Sequence, residues 1–497
     1  MRPHDMGVLF DECAGADTLV RLDRPFDIAP DRGDTYTVAQ LADLVRHTAG
    51  WLHENGVRPG DRVAIVKRNH WDYDLLACAA VRIGAIPAKL SGLLPGESLE
   101  ILVKRLDAAV VVADRDIPGA RRVLRIEEFT RARPPVPHRR PADAPLIICH
   151  TSGTTGVPKL VVHTTRTIID RLARPESVRW PVVGIRRDDV LAQASSYAHG
   201  RTFCWTASAM CLAPRDILIL SDASAAARVF ADHPPTVVEA LPSVYARWRP
   251  LAAGAANPFR AVRRFVSTYD AMHPPVIRAM LTASHRRNPL WMQSWGQSET
   301  GPLTFRFLTR RTVATTRGLG RPLPGLTRLR VVDPVTFQPV PRGVPGLIFA
   351  RTRARCVTYV GERDRWSAKA EGEWWNTGDV GVLDRTGAVT LLDREVDTVP
   401  GLSCLAVEDA VEDRLPSIVE CVLLAAADRP PIPVVVSENG LAADDWRSAV
   451  RGLPPMAEPV VLRWDEVPRT ATGKVRRLEL LGRITGSADT NGSGRWT

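Results

Sequence analysis

The sequence predicts an α/β protein with one large domain and one small domain, and three observations support this prediction. The chain has 497 residues, which is too long for a single small core. Hydrophobic residues make up 45% of the chain, as in a globular protein. Short apolar runs typical of buried strands alternate with longer segments whose apolar residues recur at helical spacing. This alternation is the pattern of a layered, largely parallel sheet.

The predicted elements follow one another closely in the first third of the chain. Apolar residues at helical spacing run from Val38 to Asn55 and stop at Gly56, which predicts a helix and its end. The segment 131–144 is rich in proline and arginine and is predicted to be a linker. Helices and strands are expected in this order: helix 38–55, strand 62–66, helix 75–83, strand 108–112, strand 146–149 and strand 160–162.

The end of the chain is predicted to form a domain of its own. Strand and helix signals continue to about residue 393, so we place the large N-terminal domain at residues 1–394. The small C-terminal domain is predicted at residues 395–483. The final stretch, 484–497, is polar and rich in glycine and is expected to be disordered.

Composition excludes several classes of protein. No stretch approaches the roughly eighteen apolar residues of a transmembrane helix, so we expect no membrane span. The net charge of +11 comes from arginines spread along the chain without interleaved aromatic residues, so nucleic-acid binding is not expected. The first residues contain acids within their apolar stretch, unlike a signal peptide. The eight irregularly spaced cysteines are expected to be mostly buried thiols of a cytoplasmic enzyme.

One decapeptide, residues 150–159, carries the strongest functional signal. It reads HTSGTTGVPK and lies between two apolar runs that are predicted strands. Glycines let a loop approach an anion, hydroxyl and N–H groups donate to its oxygens, and a lysine adds charge. The spacing does not fit the Walker loop, and the alternative, a polar surface turn, seldom holds so many donors. The residues predicted to bind phosphate are Thr151, Ser152, Gly153, Thr154, Thr155, Gly156 and Lys159.

A second lysine-bearing segment lies near the C-terminus. The chain has only six lysines, and Lys474 lies in the sequence PRTATGKVRR. In a chain that uses arginine for most of its positive charge, a lysine indicates a place where a slim ammonium is wanted. Taken alone, this segment is equally consistent with a turn before a basic helix. Together with residues 150–159 it resembles the AMP-forming adenylating superfamily, which includes acyl-CoA synthetases, aryl-acid ligases and luciferases.

Residues 295–300 read WGQSET and resemble a third motif of that superfamily. The resemblance implies that Trp295 borders adenine and that Thr300 faces the α-phosphate. It also implies that Glu299, with Thr151, helps to hold Mg²⁺, a hard cation that prefers oxygen ligands. The alternative for this segment alone is a tryptophan packed beside a turn glycine.

Two further motifs follow in the superfamily's order. Residues 374–379, WWNTGD, resemble the motif whose aspartate, here Asp379, accepts both ribose hydroxyls; a turn-capping aspartate is the alternative. Residues 392–394, LDR, resemble the close of the large domain, with Arg394 reaching ribose or phosphate. The resemblance implies a large multi-layered N-terminal domain and a small, mobile α+β C-terminal domain that carries Lys474.

The resemblance implies an enzyme that uses ATP to adenylate a carboxylic acid. The carboxylate attacks the α-phosphorus, pyrophosphate leaves and acyl-AMP forms, so the protein must align oxygens and neutralise charge. Lys474 would bring the two anions together, and Mg²⁺ with Lys159 would stabilise the departing pyrophosphate. ATP and Mg²⁺ are the expected cofactors. Complete transfer to CoA or to a partner protein is one alternative, and a non-catalytic nucleotide-binding relative is another.

The substrate pocket is predicted from three positions. Residues 195–200 read SSYAHG and lack the aspartate that pairs an α-ammonium in amino-acid-activating members. A non-amino carboxylic acid, aryl or cyclic, is therefore expected. His199 resembles a gate residue, with a packed surface histidine as the alternative. Tyr269 adds bulk where members of the superfamily have glycine, and Gly296 is the third pocket residue.

The parts that complete a thioester in the superfamily are altered here. Val396 stands at the hinge, Pro400 replaces a lysine, and Ser403 replaces a loop glycine. A β-branched residue and a proline restrict backbone torsions, so rotation of the small domain is expected to be less free. The sequence therefore predicts acyl-AMP formation with impaired transfer to a thiol.

Overall fold

The computed structural model describes residues 2–151, 156–394, 402–425 and 429–486. Some predicted features lie outside these ranges: Ser152, Gly153, Thr154 and Thr155 of the phosphate loop, Val396 and Pro400 of the hinge, and the tail after residue 486. The chain divides into two compact units: the first comprises 1–240, 297–301 and 353–368, and the second 241–296, 302–352 and 369–497. These two units do not divide at residue 394, so the predicted domain boundary at that residue stays a prediction.

The helices lie mostly in the first two-thirds of the chain. Their bounds are α1 Leu9–Cys13, α2 Val38–Glu54, α3 Asp72–Arg82, α4 Gly96–Leu106, α5 Arg174–Glu176, α6 Gly200–Leu212, α7 Ala226–Asp232, α8 Pro242–Ala253, α9 Pro274–Ala283, α10 Arg363–Ser367, α11 Cys404–Arg414, α12 Ala443–Ala449 and α13 Arg477–Thr485. A π-helix spans Thr165–Ala173.

The strands are short, and most of them belong to two large sets. In the first half of the chain they are β1 Leu19–Leu22, β2 Thr35–Thr37, β3 Arg62–Lys67, β4 Ile86–Ser91, β5 Val110–Ala113, β6 Val123–Arg125, β7 Pro145–His150, β8 Leu160–Thr164, β9 Val190–Ala194, β10 Asp216–Ile219 and β11 Val237–Ala240. The others are β12 Arg264–Ser267, β13 Leu290–Gln297, β14 Gly301–Leu308, β15 Gly318–Pro322, β16 Thr327–Val332, β17 Gly346–Thr352, β18 Thr358–Tyr359, β19 Ala370–Glu371, β20 Trp374–Leu383, β21 Val389–Arg394, β22 Glu420–Leu424, β23 Ile432–Val436 and β24 Val460–Leu462.

The first unit is built on largely parallel strands, as predicted. A seven-stranded sheet has the order β18-β8-β7-β4-β3-β5-β6, and only β8 is antiparallel to its neighbours, β7 and β18. A second run of strands has the order β11-β9-β10-β1-β2, and only β2 is antiparallel to its neighbour. Leu99, Leu102 and Leu106 place one face of α4 in the core of the seven-stranded sheet.

The second unit contains the antiparallel strands. Its larger set has the order β16-β17-β20-β21-β15-β14-β13-β12, in which β12 and β13 are parallel. The pairs from β14 to β16 along this order are antiparallel. The smaller sheet, β22-β23-β24, presents alternate residues to two clusters. Cys421 packs with α11 and α12, whereas Val422 packs with Leu480 of α13.

The locally predicted elements are confirmed. The predicted helix 38–55 is α2, whose first turn is fixed because Thr37 and Gln40 cap each other's backbone N–H groups. The strands predicted at 62–66, 108–112, 146–149 and 160–162 are β3, β5, β7 and β8. The linker 131–144 contains no helix or strand.

Two predictions from composition also agree with the structure. Seven of the eight cysteine thiols are buried, and Cys211 is partly exposed. In the ranges that the structure describes, none of the helices combines the length and the apolar character that crossing a membrane requires.

Candidate active site

In the first unit, the hairpin of β7 and β8 holds both ends of the predicted phosphate loop. The N–H of Thr151 donates to the carbonyl of Lys159 at 3.0 Å, and the N–H of Lys159 donates to Thr151 Oγ1 at 3.1 Å. Gly156 has a φ of 122°, a conformation that side-chain-bearing residues rarely adopt. The two described ends of the loop are therefore closed against each other.

Glu299, which belongs to the first unit, accepts hydrogen bonds from two residues of that unit. Lys159 Nζ lies 3.3 Å from Glu299 Oε1, and the Tyr359 hydroxyl donates to the same oxygen at 2.7 Å. Burial, followed by the neighbouring Glu299 charge, raises the pKa of Tyr359 well above its usual value, so the phenol keeps its proton. The structure thus brings together two predicted residues from distant motifs and adds Tyr359, which the sequence analysis did not identify.

The backbone beside Glu299 is anchored by two residues that the motif does not contain. His163 Nε2 lies 2.8 Å from the carbonyl of Ser298, and burial lowers the pKa of His163, so its ring is neutral. The N–H of Cys356 donates to the carbonyl of Glu299 at 2.7 Å. Both residues are far from residues 295–300 in sequence, and no local pattern indicates this contact.

Thr300 is fully buried within the turn that follows Glu299. Its hydroxyl donates to the carbonyl of Gly301 at 2.9 Å, and its Oγ1 lies 3.3 Å from the N–H of Gln297. The side chain stabilises this turn. Its predicted position facing an α-phosphate stays a prediction.

His199 precedes the first turn of α6 and is 5% exposed, so its side chain is packed inside the first unit, and its role as a gate stays a prediction. Its ring centroid lies 4.5 Å from that of His150. The N–H of Ser91 donates to His150 Nε2 at 3.1 Å, and His150 Nδ1 lies 2.7 Å from the carbonyl of Thr151. Burial lowers the pKa of His150 to about 4, so a neutral ring packs against His199 beside the phosphate loop.

In the second unit, Lys474 faces a carboxylate. Its Nζ lies 3.7 Å from Asp270 Oδ1. The turn that carries it is closed because the N–H of Thr470 donates to the carbonyl of Lys474 at 2.8 Å. Gly473 has a φ of 78°, and a Cβ at this position would lie 2.0 Å from Ser243 Oγ on α8. Only glycine fits there, so the lysine-bearing turn is held close to α8.

Tyr269, one residue before Asp270, has a φ of 83°. This left-handed conformation is unfavourable for a side chain with a Cβ and costs on the order of 1–3 kcal/mol. The prediction that a bulky residue stands where glycines are usual therefore coincides with backbone strain. Strain of this kind is typical of functional sites, where the surrounding structure enforces it.

Asp379 and Arg394 lie side by side on neighbouring strands. Asp379 of β20 pairs with Arg394 of β21 in the antiparallel register, and Asp379 is 4% exposed. The Thr377 hydroxyl donates to the carbonyl of Ile348 at 2.7 Å and accepts the N–H of Asp379 at 3.2 Å. Two motifs that the sequence separates are thus adjacent at the level of the backbone.

Trp295 and Gly296 mark the exposed end of β13. The Trp295 indole is partly buried against a cluster that includes Leu319 and Ile348, whereas Gly296 is exposed. The tryptophan therefore packs on an apolar surface, but Gly296 lies within β13 and not in a turn. A role beside adenine requires its remaining exposed face and stays a prediction.

Glu299, the carboxylate predicted to bind Mg²⁺, is not part of a larger cluster of metal-binding side chains among the described residues. Among the described residues, no group of three histidine, cysteine, aspartate or glutamate side chains is placed to bind a metal. Glu299 offers the oxygen ligand that Mg²⁺ prefers, and Mg²⁺ commonly takes its remaining ligands from water and substrate phosphates. The donor set therefore fits a cation that is bound together with a nucleotide.

Ser403, which replaces a loop glycine, is tied to the end of the large predicted domain. Its hydroxyl donates to the carbonyl of Leu392 at 2.8 Å, and it directly precedes α11.

Comparisons with known proteins agree with these motifs. The sequence model of the AMP-binding enzyme family matches residues 18–359. The chain is 38% identical to 3-amino-2-hydroxy-4-methoxybenzoate diazotase of Streptomyces cremeus, over 97% of this chain and 96% of that protein. It is 26% identical to 3-aminoavenalumate diazotase of a Streptomyces species, over 92% and 91%. A crystal structure of the anthranilate CoA ligase AuaEII with anthranoyl-AMP has the same fold, with a TM-score of 0.80, 19% identity and 98% of each chain covered.

Proposed function

The chain belongs to the AMP-binding enzyme family of adenylate-forming enzymes, and from this membership we propose that it is an ATP-dependent diazotase of an aminoaryl carboxylic acid. The observation that carries the proposal is the 38% identity, over nearly the whole chain, to a protein named as a diazotase of an aminobenzoate. A second relative, at 26% identity, is also named as a diazotase.

An adenylate-forming site suits the chemistry of diazotisation. A diazo group requires that an aromatic amine gain one nitrogen from a donor such as nitrite. A nitrite oxygen attacks the α-phosphorus of ATP, the α–β bridging P–O bond breaks, and pyrophosphate leaves with its electron pair. The amine nitrogen then attacks the nitroso nitrogen, AMP leaves with the electron pair of the broken N–O bond, and the N-nitrosoammonium loses one proton to give the nitrosamine. Protonation and loss of water finally give the diazonium group, and no external oxidant or reductant is needed.

The residues that the motifs identify supply what the first step needs. Lys474 would bring the two anions together, and Lys159 would neutralise charge on the departing pyrophosphate. Glu299 would hold Mg²⁺, which neutralises phosphate charge when it is bound. Asp379 would accept the ribose hydroxyls, with Arg394 beside it.

The same reading accounts for the absence of an acid in residues 195–200. An aromatic amine is weakly basic and uncharged near neutral pH, so it requires no carboxylate partner. The sequence analysis predicted a non-amino acid because residues 195–200 offer no partner for an α-ammonium, and the proposed aminoaryl acid departs from that prediction because its amine carries no charge. His199, Tyr269 and Gly296 are the residues we assign to its pocket.

Acyl-AMP formation from a non-amino aryl acid is the second candidate function. The superfamily motifs favour it, because Lys474 and Glu299 serve a carboxylate as well as they serve nitrite. CoA or a carrier thiol would be the acceptor in a further step, for which Ser403 is an unfavourable replacement.

ATP–pyrophosphate exchange separates the two candidates. We expect exchange that depends on nitrite, together with a diazonium product when nitrite and an aminohydroxybenzoate are both present. Coupling to 2-naphthol and the mass shift from ¹⁵N-nitrite would identify that product. Exchange that depends on aryl acids but not on nitrite would reject diazotisation in favour of acyl-AMP formation.

A further inference from the structure

We propose that Lys89 and Asp74, a fully buried ion pair in the first unit, are positioning residues that fix His199 through the first turn of α6. The inference rests on the proposed function only in that His199 is assigned to the substrate pocket. The evidence for the pair itself is its burial and its hydrogen-bond distances, which do not depend on the proposed function.

The ion pair connects three elements. Lys89 lies on β4 and Asp74 on α3, and both side chains are completely buried. Lys89 Nζ donates to Asp74 Oδ1 at 2.5 Å and to Thr202 Oγ1 of α6 at 2.9 Å. Thr206, one turn further along α6, donates to Asp74 Oδ2 at 2.9 Å. Strand, helix and helix are thus joined by charge-assisted hydrogen bonds.

Thr202 transmits this placement to the residues before α6. Its hydroxyl lies 3.0 Å from the carbonyl of His199 and 3.2 Å from that of Tyr197. The hydroxyl therefore links the Lys89 ammonium to the backbone of the residue that begins the helix. A shift of Thr202 would move the His199 backbone with it.

The same strand also fixes the ring against which His199 packs. Ser91, two residues after Lys89 on β4, donates its N–H to His150 Nε2 at 3.1 Å. One strand therefore sets both histidines, His150 directly and His199 through Thr202.

Stability alone does not explain a buried pair in this position. Removing two charges from water carries a desolvation cost, and apolar replacements of similar volume are often neutral or stabilising. Burial accordingly raises the pKa of Asp74, against the effect of Lys89. What an apolar pair would not supply is the directed hydrogen bond from Lys89 to Thr202, which specifies one position for the start of α6.

The test compares two threonines of one helix. Thr202 and Thr206 are both fully buried, and both contact Asp74, but only Thr202 contacts the His199 carbonyl. Thr202→Val is expected to raise KM for the aryl substrate about tenfold or more with a smaller change in kcat, because the pocket residue is displaced. Thr202→Ser, which keeps the hydroxyl, is expected to restore KM, and Thr206→Val is expected to leave it unchanged.

A double substitution tests the charges themselves. Lys89→Met with Asp74→Asn is expected to raise KM like Thr202→Val. The matched control is Lys67→Met with Asp72→Asn, an equally buried pair for which no contact with α6 is described. If the first double variant fails to fold, Thr202→Val still decides the question.

Ring spectra separate this proposal from the proposed function. In ¹H–¹⁵N spectra of ring-labelled histidine, assigned with His199→Gln, Thr202→Val is expected to shift the His199 signal, whereas Thr206→Val does not. This readout needs no substrate, so it decides the positioning role even if neither nitrite nor an aryl acid supports exchange. Folded Thr202→Val protein with unchanged KM and an unchanged ring signal overturns the proposal. Equal effects of Thr206→Val also overturn it.

Discussion

At the scale of single residues, the position of Lys474 follows from the glycine before it. Gly473 lets the turn lie against Ser243, where a side chain would not fit, and the next residue places its ammonium 3.7 Å from Asp270 Oδ1. Lys474→Ala should reduce nucleotide-dependent pyrophosphate release about a hundredfold, since a cation at the reacting anions is lost. ATP binding, measured by calorimetry, should persist. Lys104→Ala, which removes an exposed lysine on α4, should behave as wild type; near-normal release by Lys474→Ala would exclude this lysine from the reaction.

Tyr359 offers a second test at this scale, because another buried tyrosine serves as its control. Its hydroxyl donates to the Glu299 carboxylate at 2.7 Å. Among the described residues, the hydroxyl of Tyr36 has no hydrogen-bond partner, and Tyr36 is also buried. Tyr359→Phe should lower the free energy of unfolding by about 1–3 kcal/mol, the usual contribution of a hydrogen bond to a charged group. Tyr36→Phe should be neutral or stabilising in the same urea titration. Equal losses in both variants would contradict the assigned role of the Glu299 contact.

At the scale of elements, α11 is held to the start of α9 by an ionic contact. His273, which precedes α9, lies 3.1 Å from Asp409 Oδ1 and 3.5 Å from Glu412 Oε1. The hydroxyls of Thr315 and Thr316 donate to the same aspartate at 2.8 Å. Burial opposes the charge of His273, but the carboxyl groups of Glu412, Asp409 and Glu408 outweigh it and raise the pKa of His273 to about 10.

This contact predicts a pH-dependent stability. Since the pKa of His273 is higher in the folded state than the usual value of about 6.5, the stability that its charge contributes is present below pH 6.5 and is lost as the pH rises through about 10. Burial raises the pKa of Glu412 to about 8, so below that pH the charged partner of His273 is Asp409, whose pKa is lowered, against the effect of burial, by its hydrogen bond with His273. His273→Gln should therefore cost on the order of 2 kcal/mol at pH 6 and almost nothing above pH 10. Urea unfolding at a series of pH values would measure this difference. His285→Gln, which changes an exposed histidine of the same unit, should show no such trend.

Local sequence patterns predicted single elements well and failed where distant side chains decide. The helix predicted at 75–83 begins instead at Asp72, because the carboxylates of Asp72 and Asp74 are buried against lysines of other elements. In sequence alone, an isolated acidic residue in an apolar run indicates the end of the buried segment, because the lysine that pairs with it is not known. For the same reason, the contact of Tyr359 with Glu299, sixty residues away in sequence, had no local signal.

At the scale of the whole molecule, motif order established the family, whereas the pairing of strands did not follow from it. The parallel sheets of the first unit reflect the alternation of apolar runs and helices. In the antiparallel set of the second unit, β20 alternates partly exposed and buried residues. Which strands pair with it depends on contacts between residues far apart in the chain, and these contacts cannot be predicted from a single sequence.

The last prediction concerns what the whole molecule does after the nucleotide has reacted. The replacements Val396, Pro400 and Ser403 stand where members of the superfamily have a mobile hinge and a loop glycine. Ser403 donates to the carbonyl of Leu392, and the contacts of His273 hold α11 in place, so a swing of this region would have to break both. For the second candidate function, acyl-AMP formation, we therefore expect pyrophosphate release to outrun thioester formation in rapid-quench assays with ATP, a reacting aryl acid and excess CoA. Val396→Asp with Ser403→Gly should speed transfer to CoA without changing pyrophosphate exchange, and Ser224→Gly, at an exposed serine, is the control. Acyl-CoA that appears as fast as pyrophosphate in the wild type would show that the replacements leave the second step intact.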